Sequence, residues 1–116
     1  MVRPPMPLGD VLSACVEVVD SDAELIWTPA EFLAEHDIQA WRDVHLWADS
    51  DSPASGSFTW SSEKALRDGL KIRSVEETIV DTLFWFKSLP EERQEKLRFG
   101  MSRERELEVL AAWQTK

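Results

Sequence analysis

The sequence predicts an α+β fold, a mainly helical small domain with two or three short strands. Two segments carry complete helix-start signals followed by apolar residues at helical spacing, and short apolar stretches alternate as strands do. A chain of 116 residues with 43% hydrophobic content is large enough for one modest core. We therefore expect residues 1–116 to form a single domain, with the proline-rich residues 1–7 as a mobile N-terminal segment.

Helical periodicity dominates the first third of the chain. Apolar residues recur every three or four positions over residues 8–19, which predicts a helix. A brief second helix is expected to start at Thr28, with Pro29 at its first position and Glu31 completing a capping box. Residues 23–27 lie between these helices and are short and largely apolar, which predicts a strand.

The centre of the chain gives the weakest structural signals. Residues 38–47 mix apolar and polar positions and fit one or two helical turns. Residues 48–56 have the Asp, Ser, Pro, Ala and Gly composition of a loop. Residues 58–60 are predicted to form a short strand that leads into a more regular region.

The strongest local signal lies in residues 60–89. Ser61 or Ser62 can cap a short helix, and Gly69 supplies the backbone freedom that ends it. Residues 70–72 alternate like a short strand. Ser74 and Glu77 then form a capping box, which starts a longer helix. Its buried face is predicted from the apolar residues at helical spacing, Val75, Ile79, Leu83 and Phe86.

Two further helices are expected at the C-terminal end. Pro90 can start a helix over residues 91–97, and Gly100 ends it. Ser102 is placed to cap a last helix. The buried stripe of that helix is predicted to consist of Leu107, Leu110 and Trp113.

Composition argues against several classes of protein. The formal net charge is −9 and no Lys/Arg cluster interrupts it, so we expect no binding to nucleic acid. No apolar run approaches the roughly 20 residues that span a bilayer, and the N-terminus lacks the apolar core of a secretory signal. The single cysteine, Cys15, rules out a disulfide framework within the chain. A cytoplasmic protein without membrane contact is the expectation.

Residues suited to metal binding are few and poorly spaced. His36 and His45 lie near Asp37 and Asp43 and could together ligate a metal. Their spacing matches no metal motif, so ordinary surface histidines are the favoured interpretation and no metal site is predicted.

Catalytic groups are also scarce. Glu77 and Asp81 lie one helical turn apart and could act as an acid–base pair, but Glu76 and Glu77 are better explained by the helix N-terminus. Nothing near Cys15 in the sequence would activate it as a nucleophile. No catalytic residue is predicted.

Six tryptophans are the compositional peculiarity of this chain. Three of them fall in or beside the irregular centre, where they could line a ligand cleft or could plug gaps left by irregular backbone. Arg42 could pair with an anionic group of a substrate, and the indoles could cover an apolar one. The candidate substrate-binding residues are Trp41, Arg42, His45, Trp47 and Trp60.

Residues 60–86 resemble the C-terminal signature of the NAD-dependent epimerase/dehydratase family, the extended short-chain dehydrogenases/reductases. The matching positions are Lys64-Ala65, Gly69-Leu70-Lys71-Ile72-Arg73, Glu76-Glu77-Thr78-Ile79, Asp81-Thr82 and Trp85. They cover about a quarter of the chain. Residues 8–19 and 102–113 are similar, less specifically, to the helix that opens the substrate-binding region of a reductase-like branch and to its C-terminal tail.

The resemblance implies a substrate-binding C-terminal domain of an NAD(P)-dependent oxidoreductase or isomerase. The family's glycine-rich NAD(P)-binding turn is absent, because no two of Gly9, Gly56, Gly69 and Gly100 lie close enough in sequence. Its catalytic Tyr-x-x-x-Lys is absent because the chain has no tyrosine. The arginine that helps hold a sugar-nucleotide diphosphate is also missing from the stretch before the motif, residues 54–58, which argues against such a substrate.

Two functional hypotheses therefore follow. In the first, a full-length relative binds NAD(P) through a separate Rossmann domain, and this chain, which lacks that domain, contributes only substrate binding. In the second, the chain is a small stand-alone interaction domain derived from the same fold, which uses an apolar face to bind a partner or a second copy.

Overall fold

The computed structural model describes residues 5–48, 51–53, 56 and 59–116, and this part of the chain contains six helices. In chain order they are α1 (Leu8–Val18), α2 (Ala30–Glu35), α3 (Glu63–Arg67), α4 (Val75–Ser88), α5 (Glu91–Glu95) and α6 (Arg103–Gln114). None of these helices is long and apolar enough to cross a bilayer.

The prediction of an α+β fold is wrong, because the described residues contain helices and no strand. Residues 23–27 and 70–72 are irregular and have no neighbouring strand. Alternating apolar residues favour an extended backbone, but a strand also needs a partner for its N–H and C=O groups. The predicted strand at residues 58–60 lies partly outside the described residues. In the described part of the chain, the backbone pairing of the β type is an isolated bridge between Ala40 and Val44.

Helix α4 begins as its sequence predicts. The Ser74 hydroxyl accepts a hydrogen bond from the Glu77 amide at 3.1 Å, and the Glu77 carboxylate accepts one from the Ser74 amide at 2.9 Å. Both halves of the capping box are therefore formed. The Ser74 amide and the Ser74 hydroxyl both donate to the Glu77 carboxylate, and these two bonds lower its pKa because they favour the charged form.

Helix α3 ends at the predicted glycine. The amides of Gly69 and Leu70 donate to the carbonyls of Leu66 and Ala65, which is the bond pair of a Schellman motif. Gly69 has a φ of 98°, so a residue without Cβ is favoured there. The preceding Ser62 occupies the N-cap position without a side-chain capping bond.

The start of α2 differs from the prediction. Pro29 is the N-cap residue, with a ψ of 145°, and no side chain caps the helix. Thr28 therefore lies one position too early to act as a cap. Helix α5 also follows a proline N-cap, Pro90, and it ends at Glu95 instead of residue 97.

The buried core is small and lies between α2, α6 and the residues after α2. In the described part of the chain the buried hydrophobic residues are Phe32, Ile38 and Val109, which are 3%, 4% and 5% exposed. The ring of Phe32 contacts Trp113 edge-on, with ring centroids 4.9 Å apart. On α6 the prediction was partly wrong: Leu107 is 51% exposed, and Val109 takes the buried position. Ser102 caps α6 as predicted, because its hydroxyl accepts a hydrogen bond from the Arg105 amide.

Helices α1 and α4 form a second packed unit. The four predicted apolar residues of α4 are each half-buried and share one face: Val75, Ile79, Leu83 and Phe86. No residue of either helix is fully buried. The α1–α4 contact therefore covers these residues only in part.

The chain exposes far more surface than a folded monomer of its mass. Its accessible area is 9407 Å², whereas about 6,500 Å² is typical for a monomer of this size. Its radius of gyration is 16.5 Å, against roughly 13 Å for a compact domain of this length. The accessible area thus exceeds that of a typical monomer by about 2,900 Å², which is comparable with the area that a stable interface buries.

Candidate functional site

The turn after α2 is organised around the carboxylate of Asp43. Its Oδ2 accepts hydrogen bonds from the Gln39 amide at 2.8 Å and from the Arg42 guanidinium. The Met101 amide donates to the Asp43 carbonyl at 3.0 Å, which ties the turn to the start of α6. The bond from Arg42, followed by the bond from Gln39, lowers the pKa of Asp43.

The guanidinium of Arg42 is engaged by two carboxylates of its own chain. Its Nη2 lies 2.7 Å from Asp43 Oδ2 and 3.3 Å from Asp37 Oδ2, and it also donates to the Asp37 carbonyl. The pKa of Arg42 is raised, chiefly by the bond to Asp43. An anionic substrate would have to compete with both carboxylates, so the geometry gives Arg42 a role in holding this turn together.

Two bulky residues in this turn have left-handed backbone conformations. Trp41 has a φ of 65° and Leu46 a φ of 66°. Such angles are unfavourable for large side chains and occur where surrounding contacts hold the backbone. Both side chains are partly exposed, 45% of Trp41 and 59% of Leu46.

The two histidines lie apart in different environments. His36 Nδ1 is 2.9 Å from the carbonyl oxygen of Phe32, and its ring stacks on that residue with centroids 4.2 Å apart. His45 contacts Phe99 edge-on, with centroids 6.0 Å apart. In the residues that the structure describes, no group of three or more His, Cys, Asp or Glu side chains could hold a metal ion.

Trp47 is the one of the five candidate residues that lines a described cavity. This cavity, of about 300 Å³, lies among α1, α2, α6 and the segment that precedes α2. Its lining is apolar except for Thr28 and Glu106, and the carboxylate of Glu106 already accepts from Arg103 Nη1 at 2.7 Å. The full lining is Leu8, Leu12, Ile26, Trp27, Thr28, Ala30, Leu33, Val44, Trp47, Met101, Glu106, Val109 and Leu110.

The other candidate residues do not converge on this cavity. Trp60 is 78% exposed, and neither it nor Trp41 lines it. His45 is directed at Phe99, and Arg42 at its two carboxylates. The structure therefore places one of the five predicted substrate-binding residues in a cavity and leaves the other four on the surface around it.

A larger concave surface lies between α1 and α4, and we call it the α1–α4 groove. It encloses about 630 Å³. Among the described residues that line it, none is charged, and the polar side chains apart from Trp85 are Thr78 and Thr82. The groove is lined by Met6, Val11, Cys15, Val19, Leu46, Val75, Thr78, Ile79, Thr82, Leu83, Trp85 and Phe86. Its volume is within the range of ligand pockets, but few polar groups are present to orient a small molecule.

The acidic residues of α4 have structural partners. Glu77 belongs to the capping box, and Asp81 Oδ2 lies 2.6 Å from Arg73 Nη2. The carboxylates of Glu77 and Asp81 are thus each bound to a different group. Cys15 lines the groove as a half-buried free thiol.

The described glycines do not form the glycine-rich turn that binds the pyrophosphate of NAD(P). Pyrophosphate binding requires a glycine-rich turn in which a bare backbone approaches a helix N-terminus. Gly9 lies inside α1, where a Cβ would come within 3.3 Å of Trp27. Gly69 and Gly100 have positive φ angles in the connections after α3 and before α6, far apart in sequence.

No family model matches the chain, and comparison with curated proteins and with solved structures gives no significant match. The resemblance to the epimerase/dehydratase family therefore rests on residues 60–86 and stays a prediction.

The sequence does not predict the groove. Val75, Ile79, Leu83 and Phe86 are predicted to be a core face, and Val11 and Cys15 of α1, with Val19 at its C-cap, are spaced as a matching stripe. Periodicity shows which residues share a face of a helix, but it does not show how completely another element covers that face. Trp27 and Glu106, which line the smaller cavity, gave no sequence signal of that role.

Proposed function

We propose that this chain is the substrate-binding part of an epimerase/dehydratase-like oxidoreductase and that a separate domain supplies NAD(P) binding and catalysis. The observation that carries the proposal is the uncharged α1–α4 groove. A groove of this kind fits the apolar face of another folded domain better than it fits a nucleotide or a sugar. The surplus of exposed surface supports the same conclusion, because a chain that packs against a second domain needs less core of its own.

The motif and the groove coincide in sequence. Thr78, Ile79, Thr82 and Trp85 belong to the stretch that resembles the family, and all four line the groove. On this proposal the motif contributes an apolar surface for domain docking, and the Trp47 cavity receives the apolar part of a substrate. The chain works in the cytoplasm, where the Cys15 thiol stays reduced.

Cofactor binding provides the first test. Isothermal titration of the purified chain with NAD⁺, NADH, NADP⁺ and NADPH is expected to show no saturable binding, because no glycine-rich turn is available. A dissociation constant below about 1 μM for any of them would overturn the assignment of cofactor binding to another domain.

The coding DNA upstream of Met1 provides the second test. It is expected to encode a dinucleotide-binding domain with a glycine-rich turn and a Tyr-x-x-x-Lys pair, in frame or as an adjacent gene. If the upstream DNA encodes neither feature, the proposal fails.

The groove itself is tested with that upstream domain. Co-expressed with this chain, it is expected to co-purify, and Thr82→Arg should abolish the association, since Thr82 is exposed and lines the groove. Thr115→Arg places the same side chain at the C-terminal end of α6, outside the groove, and should leave the association intact. Association that survives Thr82→Arg would exclude the groove as the docking surface.

A further inference from the structure

Two large apolar side chains lie on the face of α4 opposite the groove. Val80 is 51% exposed and Phe84 is 77% exposed, and neither residue lines the groove. They stand among exposed charged residues of the same face, Glu76, Glu77 and Lys87. The outer face of a surface helix is normally polar, so Val80 and Phe84 form a second, smaller apolar surface on α4.

Two charged residues lie at the ends of this outer face. Glu76 is in the first turn of α4 and Lys87 is in the last turn. They are eleven residues apart, which is about three turns, so they lie on the same side of the helix, next to Val80. In the described part of the chain neither side chain is within ion-pair distance of an opposite charge, as Arg73 is paired with Asp81 instead.

We propose that α4 pairs with α4 of a second copy of this chain, antiparallel and through the stripe Glu76, Val80, Phe84 and Lys87. The charges favour a second copy as the partner of this face, because the stripe has an acidic residue at one end and a basic residue at the other. Two-fold symmetry about the middle of α4 sets residue 76 of one copy against residue 87 of the other, at both ends of the pair. Val80 and Phe84 then meet the apolar residues of the partner helix in the centre.

Helix polarity alone does not account for the position of these charges. An acidic residue near the N-terminus and a basic one near the C-terminus favour any helix, wherever they lie around its circumference. Here both lie on the face that also exposes Val80 and Phe84. A parallel arrangement would bring Glu76 against Glu76 and Lys87 against Lys87, and like charges in contact are unfavourable.

The interface would be small. A helix of 14 residues is about 21 Å long, so the pair lies at the lower end of specific interfaces, which bury roughly 1,200–2,000 Å² in total. The association is therefore reversible and depends on concentration. It uses the opposite face of α4 from the groove, so it is independent of the proposed function, and either can fail without the other.

Analytical ultracentrifugation with charge-reversal variants tests the pairing. Wild-type protein is expected to show a reversible monomer–dimer equilibrium in about 0.15 M salt. Glu76→Lys and Lys87→Glu should each weaken it at least about 10-fold, because each creates two like-charge contacts per dimer. The double variant Glu76→Lys/Lys87→Glu should return to within about 3-fold of wild type, since it restores both pairs in reversed order.

Mixing the two single variants is the decisive measurement. Glu76→Lys carries lysine at both ends of the stripe, and Lys87→Glu carries glutamate at both ends. Neither should dimerise well alone, but the equimolar mixture should form a heterodimer with two attractive contacts. A mixture that associates no better than its components would overturn the antiparallel register.

Two controls separate pairing from loss of structure or of net charge. Glu104→Lys makes the same charge change in the first turn of α6, at another exposed site, and should leave dimerisation unchanged. Phe84→Ser should weaken dimerisation without loss of helical circular dichroism, because Phe84 is largely exposed in the monomer. A wild-type chain that stays monomeric at about 1 mM, or that is unaffected by Phe84→Ser, would overturn the proposal.

Discussion

The α2–α6 side of this protein and its α1–α4 side are built in opposite ways. Helix α2 has six residues and no side-chain cap, yet its Phe32 lies at the centre of the core. Helix α4 has 14 residues and a complete capping box, yet none of its residues is fully buried. A helix with strong start signals in its sequence is therefore not the helix that is most buried in this protein. One side is held by packing, whereas the other is held by its own helix signals and leaves apolar surface exposed.

Truncating a phenylalanine on each side should show the largest contrast. Phe32→Ala removes a 3% exposed ring that contacts Trp113 and His36, and is expected to lower the free energy of unfolding by about 3–5 kcal/mol. Phe84→Ala removes a 77% exposed ring of the same size and should change it by less than about 0.5 kcal/mol. Urea unfolding followed by circular dichroism, at a concentration where the chain is monomeric, measures both.

Equal effects of the two truncations would contradict the division into a packed side and an open side. If Phe84→Ala lowered the free energy of unfolding strongly and Phe32→Ala lowered it little, the packed side and the open side would be the reverse of those described.

Removing the polar link between α2 and α6 should have an intermediate effect. Arg105 Nη2 donates to the carbonyl of His36, at the end of α2, and Nη1 lies 3.0 Å from Glu108. Arg105→Met keeps most of the aliphatic stem and loses the charged hydrogen bond, which is expected to cost about 1–2 kcal/mol. Arg103→Met is the matched control: it loses an exposed pair with Glu106 within α6 and should cost less than about 0.5 kcal/mol. If both variants lose the same stability, the bond to His36 does not hold the two helices together.

Local signals made the helices of this fold predictable. The Ser74–Glu77 box, the Gly69 stop and the Ser102 cap are each formed, because each depends on residues within one turn of the helix end. The cap predicted at Thr28 was wrong by one position, since proline fits both the N-cap and the first turn. Strands were predicted wrongly at residues 23–27 and 70–72, because pairing depends on distant segments that periodicity does not report.

The candidate site was less predictable than the fold. Aromatic and charged residues in the irregular centre suggested a cleft, and Trp47 does line a cavity. Arg42 and Trp41 instead belong to a turn whose geometry is set by Asp43 and by left-handed backbone angles. Composition identifies residues that could bind a ligand, but the direction of each side chain depends on the backbone conformation at each residue. The groove depends on how completely α1 covers α4, which is a property of tertiary packing.

The smallest expected effect is a pH dependence at the N-terminus of α4. The bonds from Ser74 lower the pKa of Glu77 in the folded protein below its ordinary value of 4.5. A carboxyl whose pKa is lower in the folded state stabilises that state at pH values above its pKa in the unfolded chain. This stabilisation is lost as the pH falls through its pKa in the folded protein. Glu77→Gln should therefore lower the melting temperature slightly at pH 7, and the difference from wild type should shrink steadily as the pH falls below 4.5. Ser102→Ala is the matched control, because the third residue of α6 is Arg105 and no carboxylate completes a box there. The effect of Ser102→Ala should not depend on pH, and a Glu77→Gln difference that does not shrink with falling pH would mean that the carboxylate does not act through the cap.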